Sequence, residues 1–250
     1  MKLVLENITA KIGEKTILRN LSEEFDFNKT TALMGKNGSG KTTLSNIIMG
    51  NPEYTISEGR IKLKDDSSET DITHLNSYQR SKLGIFMSFQ SPVEIEGLTL
   101  KSMLRASYMS LKGKITISEF NKLLNKKADL IGFDKKLFDR SLNFGFSGGE
   151  KKKSEMLQLL LIEPKFAILD EIDSGLDIDS LKTIAETINL MKQKTGFLII
   201  SHYKRILKFV KPDKVIILIS GEIAKIGTSD LIDKIESLGY GWVSESKDNN

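Results

Sequence analysis

Apolar residues fall into two kinds of pattern along the chain, and their order predicts its layout. Strand-like runs occupy 2–8 and 15–18 around a Gly13-Glu14 turn, and 58–63 alternates at period two, as a strand with one wet face does. Residues 83–89 form a nearly continuous apolar run, the mark of a strand covered on both faces. Residues 31–34, 166–169 and 196–200 add further strand signals, and a helical pattern over 178–194 separates the last two. That order is a βαβ unit, and so a parallel sheet. Residues 64–70 are polar and read as a loop tip; 215–219 and 222–226 read as a hairpin around Ser220-Gly221. After Pro92 the character changes. From 98 to 160 the patterns are helical, with 117–131 a good amphipathic candidate, and no strand-like run interrupts them. The expected organisation is an α/β core over 1–90 and 162–243, a helical insert over 91–161, and a polar, disordered tail over 244–250.

Chemistry enters where the run 31–34 ends. Gly35-Lys36-Asn37-Gly38-Ser39-Gly40-Lys41-Thr42-Thr43 opens a helical pattern and has the G-x-x-x-x-G-K-[ST] spacing of a phosphate-binding loop. Glycines let main-chain N–H groups converge, and the helix N-terminus adds partial positive charge where phosphates sit. Lys41 would reach the β- and γ-phosphates, and the Thr42 hydroxyl would meet Mg²⁺. The plainer alternative is a glycine-rich turn whose lysine faces solvent. A second signal is 166–169 followed by Asp170 and Glu171: a buried strand delivers acids at the end of the sheet where ligands bind. Asp170 would join the Mg²⁺ shell and Glu171 would deprotonate the attacking water, although a helix cap would also explain them. A third is Ser147-Gly148-Gly149 ahead of a helix over 151–161, an arrangement of bare amides that suits an anion or a simple turn and cap.

Composition narrows the classes. With 250 residues, 39% apolar and 28% charged, the chain is an ordinary globular one, large enough for one domain with an inserted subdomain. A net charge of +4 from nearly balanced acids and bases is no argument for nucleic acid; the lysine clusters read as solvated helix faces. The absence of cysteine excludes a disulfide framework and any thiolate ligand from this chain. No apolar run approaches the roughly twenty residues of a membrane span, so no membrane insertion is expected. Met1-Lys2-Leu3 leads straight into strand-like sequence, without room for a signal or transit peptide.

The phosphate loop, Gln90, Ser147-Gly148-Gly149, Asp170-Glu171, Ser174-Gly175-Leu176-Asp177 and His202 stand in the order found in ATP-binding cassette (ABC) ATPases, which the chain resembles. The resemblance implies a RecA-like mixed-sheet core, an N-terminal antiparallel β subdomain and an inserted α-helical subdomain. It further implies ATP and Mg²⁺ as cofactors and a transient head-to-tail homodimer, in which the Ser147 turn of one copy caps the γ-phosphate held by the other. His202 would be the switch histidine that touches the γ-phosphate and Glu171; Gln90 would sense Mg²⁺ and the attacking water; Asp177 would cross the dimer interface. Ile12 stands where many cassettes carry an aromatic residue to stack on adenine, which leaves GTP open. Within the family, 84–95, Glu150-Lys151-Lys152-Lys153 after the Ser147 turn, 173–179 and Gly239-Tyr240-Gly241-Trp242 are most similar to the SufC cassettes of the SUF iron–sulfur cluster assembly system. That similarity implies SufB- and SufD-like scaffold partners docking near 91–107, and a cytoplasmic location, or an organelle stroma of plastid type for a trimmed precursor. Leu98, Leu100, Met103 and Leu104 are then either docking surface or core of the insert. A lysine among 151–153 pairing with Glu171 in a resting monomer is a further expectation. The rival readings are the ATPase subunit of a membrane transporter, with the same site and a different partner, and an adaptor that binds ATP without cleaving it.

Overall fold

The computed structural model describes residues 1–201 and 204–245. Strands β1 (Lys2–Ile12), β2 (Lys15–Asp26) and β3 (Thr30–Met34) lead into helix α1 (Lys41–Met49), followed by β4 (Thr55–Lys64), β5 (Glu69–Asp71), α2 (Ser77–Lys82) and β6 (Ile85–Ser88). Then come β7 (Ile95–Thr99), α3 (Leu100–Lys112), α4 (Ile117–Leu130), a 3₁₀ turn over Lys135–Asp139, β8 (Ser141–Leu142) and α5 (Gly148–Ile162). The last third is β9 (Phe166–Asp170), α6 (Ile178–Met191), β10 (Gly196–Ile200), α7 (Lys204–Val210), β11 (Lys214–Ile219), β12 (Glu222–Gly227), α8 (Asp230–Leu238) and α9 (Gly241–Glu245).

A six-stranded sheet runs in the order β12-β11-β3-β10-β9-β6, and a four-stranded antiparallel sheet runs β2-β1-β4-β5. In the larger sheet only β12 is antiparallel, paired to β11 through the predicted Ser220-Gly221 hairpin. Its five parallel strands are the apolar runs of the sequence. β3, β9 and β10 are buried at every position, as strands covered on both faces must be. One core lies between the two sheets and takes in Leu44, Ile47 and Ile48 of α1. The other covers the opposite face of the parallel sheet with α5, α6 and the helices of the insert.

Register decides where the chemistry falls. Leu33 pairs with Ile200, Ile200 with Asp170, and Leu169 with Ser88. The chain therefore leaves four neighbouring strands at one edge of the sheet, at Gly35, Glu171, Ser201 and Phe89. Motifs separated by more than a hundred residues meet there because the strands that carry them end in line.

Two expectations change and one open alternative is decided. The insert is not purely helical: β7 and β8 form a small antiparallel pair through Ile95–Leu142 and Thr99–Ser141. These are short, half-exposed pieces with no period to read. Helix α9 carries the ordered chain to Glu245, past the predicted start of a disordered tail at 244; 246–250 lie outside the described residues. Trp242 is held there between Lys234 and Lys225, whose ammonium groups lie 4.2 and 5.1 Å from its ring centre. Leu100 and Leu104 are fully buried and Met103 packs on the same cluster, which makes these three core of the insert. Leu98 is half-buried, and within 89–107 the large apolar side chains left in solvent are Phe89, Val93 and Ile95.

Candidate functional site

The phosphate loop follows β3 directly and is braced from behind. Ser39 accepts a hydrogen bond from the Gly221 N–H at 2.9 Å, so the β11–β12 hairpin supports the loop. At Gly35 a Cβ would meet the Leu218 carbonyl oxygen at 2.3 Å, so no larger residue fits. Gly40, the residue before α1, has φ +105, a conformation open to glycine at little cost. The Lys41 ammonium is buried and donates to the carbonyls of Gly35 (2.8 Å) and Lys36 (2.9 Å), which stretches it across the loop. Burial lowers its pKa, against the pull of Asp170 and Glu171.

Asp170 ends β9 with 1% of its surface exposed, and neither carboxylate oxygen has a hydrogen-bond partner. Burial, reinforced by the neighbouring Glu171, raises its pKa to about 6; the Thr42 hydroxyl, close by but outside hydrogen-bonding geometry, and Lys152 and Lys41 pull it down. An unsatisfied buried carboxylate beside a threonine hydroxyl is a donor set for a hard divalent cation. Among the described residues no three His, Cys, Asp or Glu gather to hold a metal by themselves. That suits Mg²⁺, which keeps water and phosphate oxygens as its other ligands, and Thr42, Asp170 and Gln90 fit the protein's share.

Glu171 stands in the left-handed region at φ +50, a strain of roughly 1–3 kcal/mol for a residue with a side chain. Its N–H donates to the Ile200 carbonyl at 2.9 Å, and its carboxylate accepts from Gln90 Nε2 at 2.9 Å. Next to it, Asp173 accepts from the Ser201 hydroxyl at 2.7 Å, and burial raises the Asp173 pKa. His202, the predicted switch, lies outside the described residues.

Asn37, Gly38, Gly40, Lys41, Thr42, Thr43, Gln90, Glu171 and Ser174 line one open cleft of about 710 Å³. Lys36 and Ser39 sit on the far side of the loop. Ser147, Gly148, Gly149 and Asp177 do not line the cleft. The Ser147 hydroxyl accepts from Glu150 N–H (3.3 Å) while Glu150 accepts from Ser147 N–H (2.7 Å), a capping box that starts α5. Asp177 caps α6, accepting from Asp179 and Ser180, and those bonds lower its pKa. Both turns are built as helix starts. The lysines after Ser147 have other partners than Glu171: Lys151 pairs with Glu94, Lys153 reaches the Gly132 carbonyl, and Lys152 turns inward.

Lys15 and Ile17 also line the cleft; Ile12, at the position where many cassettes carry an aromatic residue, does not. The hydrophobic pattern marked Ile17 only as a strand residue. Ile12 pairs with Lys15 across the β1–β2 turn, and it is the Lys15 side of that pair that lines the cleft.

A glycine loop on a helix N-terminus, a buried orphan carboxylate and an adjacent glutamate at the end of a parallel sheet define a nucleoside-triphosphate hydrolase of the phosphate-loop class. The ABC transporter family model matches residues 18–174, and the chain belongs to that family; it is an ATPase with the ABC ATPase fold. It is 42% identical over 250 residues to the "Probable ATP-dependent transporter ycf16" of Cyanidium caldarium, covering 98% of this chain and 97% of the relative. It is 41% identical over 247 residues to a "Probable ABC transporter ATP-binding protein" of Streptococcus pyogenes serotype M3, covering 97% and 95%. Among solved structures, a dimeric bacterial ABC transporter cassette matches with a TM-score of 0.77 at 20% identity, over 90% of this chain and 98% of that one. Another ABC transporter cassette matches with a TM-score of 0.74 at 27% identity, over 94% and 95%.

Proposed function

We propose that this chain is a SufC-type cassette: two copies enclose two ATP molecules head to tail, and hydrolysis moves a SufB- and SufD-like scaffold during iron–sulfur cluster assembly. The observation that carries the two-copy site is the division of its parts. Lys41, Gln90 and Glu171 share a cleft, while the Ser147 turn of the same chain is outside it, which supports a role for that turn toward a second molecule. Lys41 and the loop amides hold the phosphates; Mg²⁺, when bound at Thr42, Asp170 and Gln90, neutralises charge on the phosphate oxygens. Glu171 takes the proton of the attacking water, His202 has the switch role that the family resemblance gives it, and the bare amides at the partner's Ser147 turn face the charge that develops. Asp177 stands at the joint between the copies.

The test is complementation. Lys41→Ala and Ser147→Arg proteins should each be inactive alone, and an equal mixture should regain up to about one quarter of parental turnover, because half the dimers then hold one intact site. No recovery on mixing would overturn the shared site. Direct titration of Lys41→Ala should show nucleotide affinity at least about tenfold weaker, since a charge-assisted contact to phosphate is gone. Because Lys15 and Ile17 offer little base-reading chemistry, ATP and GTP should bind within about tenfold of each other. A larger preference in competition titrations would place a base-reading group elsewhere.

The scaffold assignment rests on the SufC-like stretches. The second reading, a transporter motor, is favoured by the printed names of those relatives. Among the described residues no helix is long and apolar enough to cross a membrane. Capture with Glu171→Gln protein and ATP decides: SufB- or SufD-like proteins support the first reading, and a polytopic membrane protein supports the second.

A further inference from the structure

The lysine run after the Ser147 turn reads as a solvated face, yet its middle member is in the core. Lys152 and Glu155 are each 4% exposed, one turn apart on α5, with 3.7 Å between ammonium and carboxylate. Lys152 Nζ donates to the carbonyls of Phe89 (3.1 Å) and Gln90 (3.2 Å), and Glu155 accepts from the Phe89 N–H at 2.8 Å. The pair thus grips three main-chain groups in two residues, just beyond the end of β6. Gln90 then passes the grip on through its side-chain amide, which donates to Glu171.

Burying two charges in this way is expensive, and packing alone would be served as well by apolar residues of similar volume. Burial pushes the Glu155 carboxyl up to about 7, a direct sign of that cost. The neighbouring positions Met156, Leu157, Leu159 and Leu160 show what α5 uses where only packing is needed. What Lys152 and Glu155 add is a fixed main chain at Phe89 and Gln90.

We propose that Lys152 and Glu155 are positioning residues for hydrolysis: together they hold the Gln90 main chain so that its amide meets Glu171, and they tie that contact to the helix that begins at the Ser147 turn. This rests on the reading of Gln90 and Glu171 given above. A shift of α5 when its N-terminal turn engages a second copy would move Gln90 directly, without an intervening loop.

Three variants of the full chain test it: Lys152→Met with Glu155→Leu, which keeps apolar volume and removes the grip; Glu155→Gln, which keeps an acceptor for Phe89 N–H; and Gln90→Ala as reference. The readouts are thermal midpoint, amide hydrogen exchange over 86–92, the Mg²⁺ concentration needed to tighten ADP binding, and turnover. In the double variant, exchange over 86–92 should speed up by at least about tenfold, and kcat should fall about 10- to 100-fold with KM for ATP little changed, as when the support behind a metal-site ligand is removed. The Mg²⁺ requirement should shift in the same direction as in Gln90→Ala, and Glu155→Gln should recover most of the rate. Parental turnover in the double variant, or a loss matched only by a lower folded fraction with exchange unchanged, would overturn the proposal. Parental turnover in Gln90→Ala would overturn the underlying role of Gln90 and the proposal with it; the exchange readout would still report whether the grip exists.

Discussion

Replacing Glu171 by glutamine should lower ATP turnover by on the order of 10²- to 10⁴-fold, the usual contribution of a positioned base, while nucleotide affinity stays near the parental value. The amide has the shape of the carboxylate and can still accept from Gln90 Nε2, so the 2.9 Å contact survives. It cannot take a proton. Binding depends on the Lys41 ammonium and the loop amides, which the change does not touch. The backbone at φ +50 and the N–H bond to Ile200 hold residue 171 whichever side chain it carries. Steady-state turnover and a direct nucleotide titration read the two halves of this expectation separately. A Glu171→Gln protein that hydrolyses ATP at the parental rate would show that the proton goes elsewhere.

The second large effect is on stability, and it lies behind the site. Arg80 is 1% exposed, and its guanidinium donates to four main-chain carbonyls: Ile47 (2.6 Å), Ile48, Leu75 and Thr73 (2.8 Å each). Ile47 and Ile48 lie in the last turn of α1, whose first turn carries Lys41, Thr42 and Thr43. The arginine therefore anchors the far end of the phosphate-binding helix, where the helix dipole favours a cation. Burial lowers its pKa to about 10, which still leaves it charged at neutral pH. Arg80→Ala would strip the donor from buried carbonyls at about 1–3 kcal/mol each and leave a cavity. We expect a loss of about 4 kcal/mol, against a total of roughly 5–15 kcal/mol for a domain. Arg80→Lys should fall between the two, because one ammonium cannot span the same four carbonyls. Denaturant midpoints of the three proteins test this, and a loss under about 1 kcal/mol for Arg80→Ala would contradict it.

What the sequence showed and hid follows from the physics of each element. The parallel strands were legible because burial on both faces leaves few polar positions, most of them at strand ends, and the phosphate loop because glycine spacing is dictated by close backbone approach. The Ser147 turn was legible as an anion site or a cap, and within one protomer it acts as a cap. Arg80 was invisible: Ser77-Tyr78-Gln79-Arg80-Ser81-Lys82 is the composition of an exposed helix, and only the fold turns one of its charges inward. Lys152 was hidden in the same way inside a charge run. Ile12 was singled out by its correspondence to the family's aromatic position, whereas the cleft is lined by Lys15 and Ile17, which the sequence marked only as strand residues. The β7–β8 pair escaped because two residues of pairing leave no periodicity.

The position of β3 has a bearing on how the molecule is made. Its two neighbours are β10 and β11, which emerge from the ribosome well over a hundred residues later. During synthesis the N-terminal antiparallel sheet can pair early, but β3 has no strand on either side until the last quarter of the chain is out. Such long-range pairing is slow and leaves sheet edges open to other chains in the interval. Chains released before residue 196 should consequently aggregate more than full-length ones, and the nascent protein has reason to depend on chaperones until its final strands arrive.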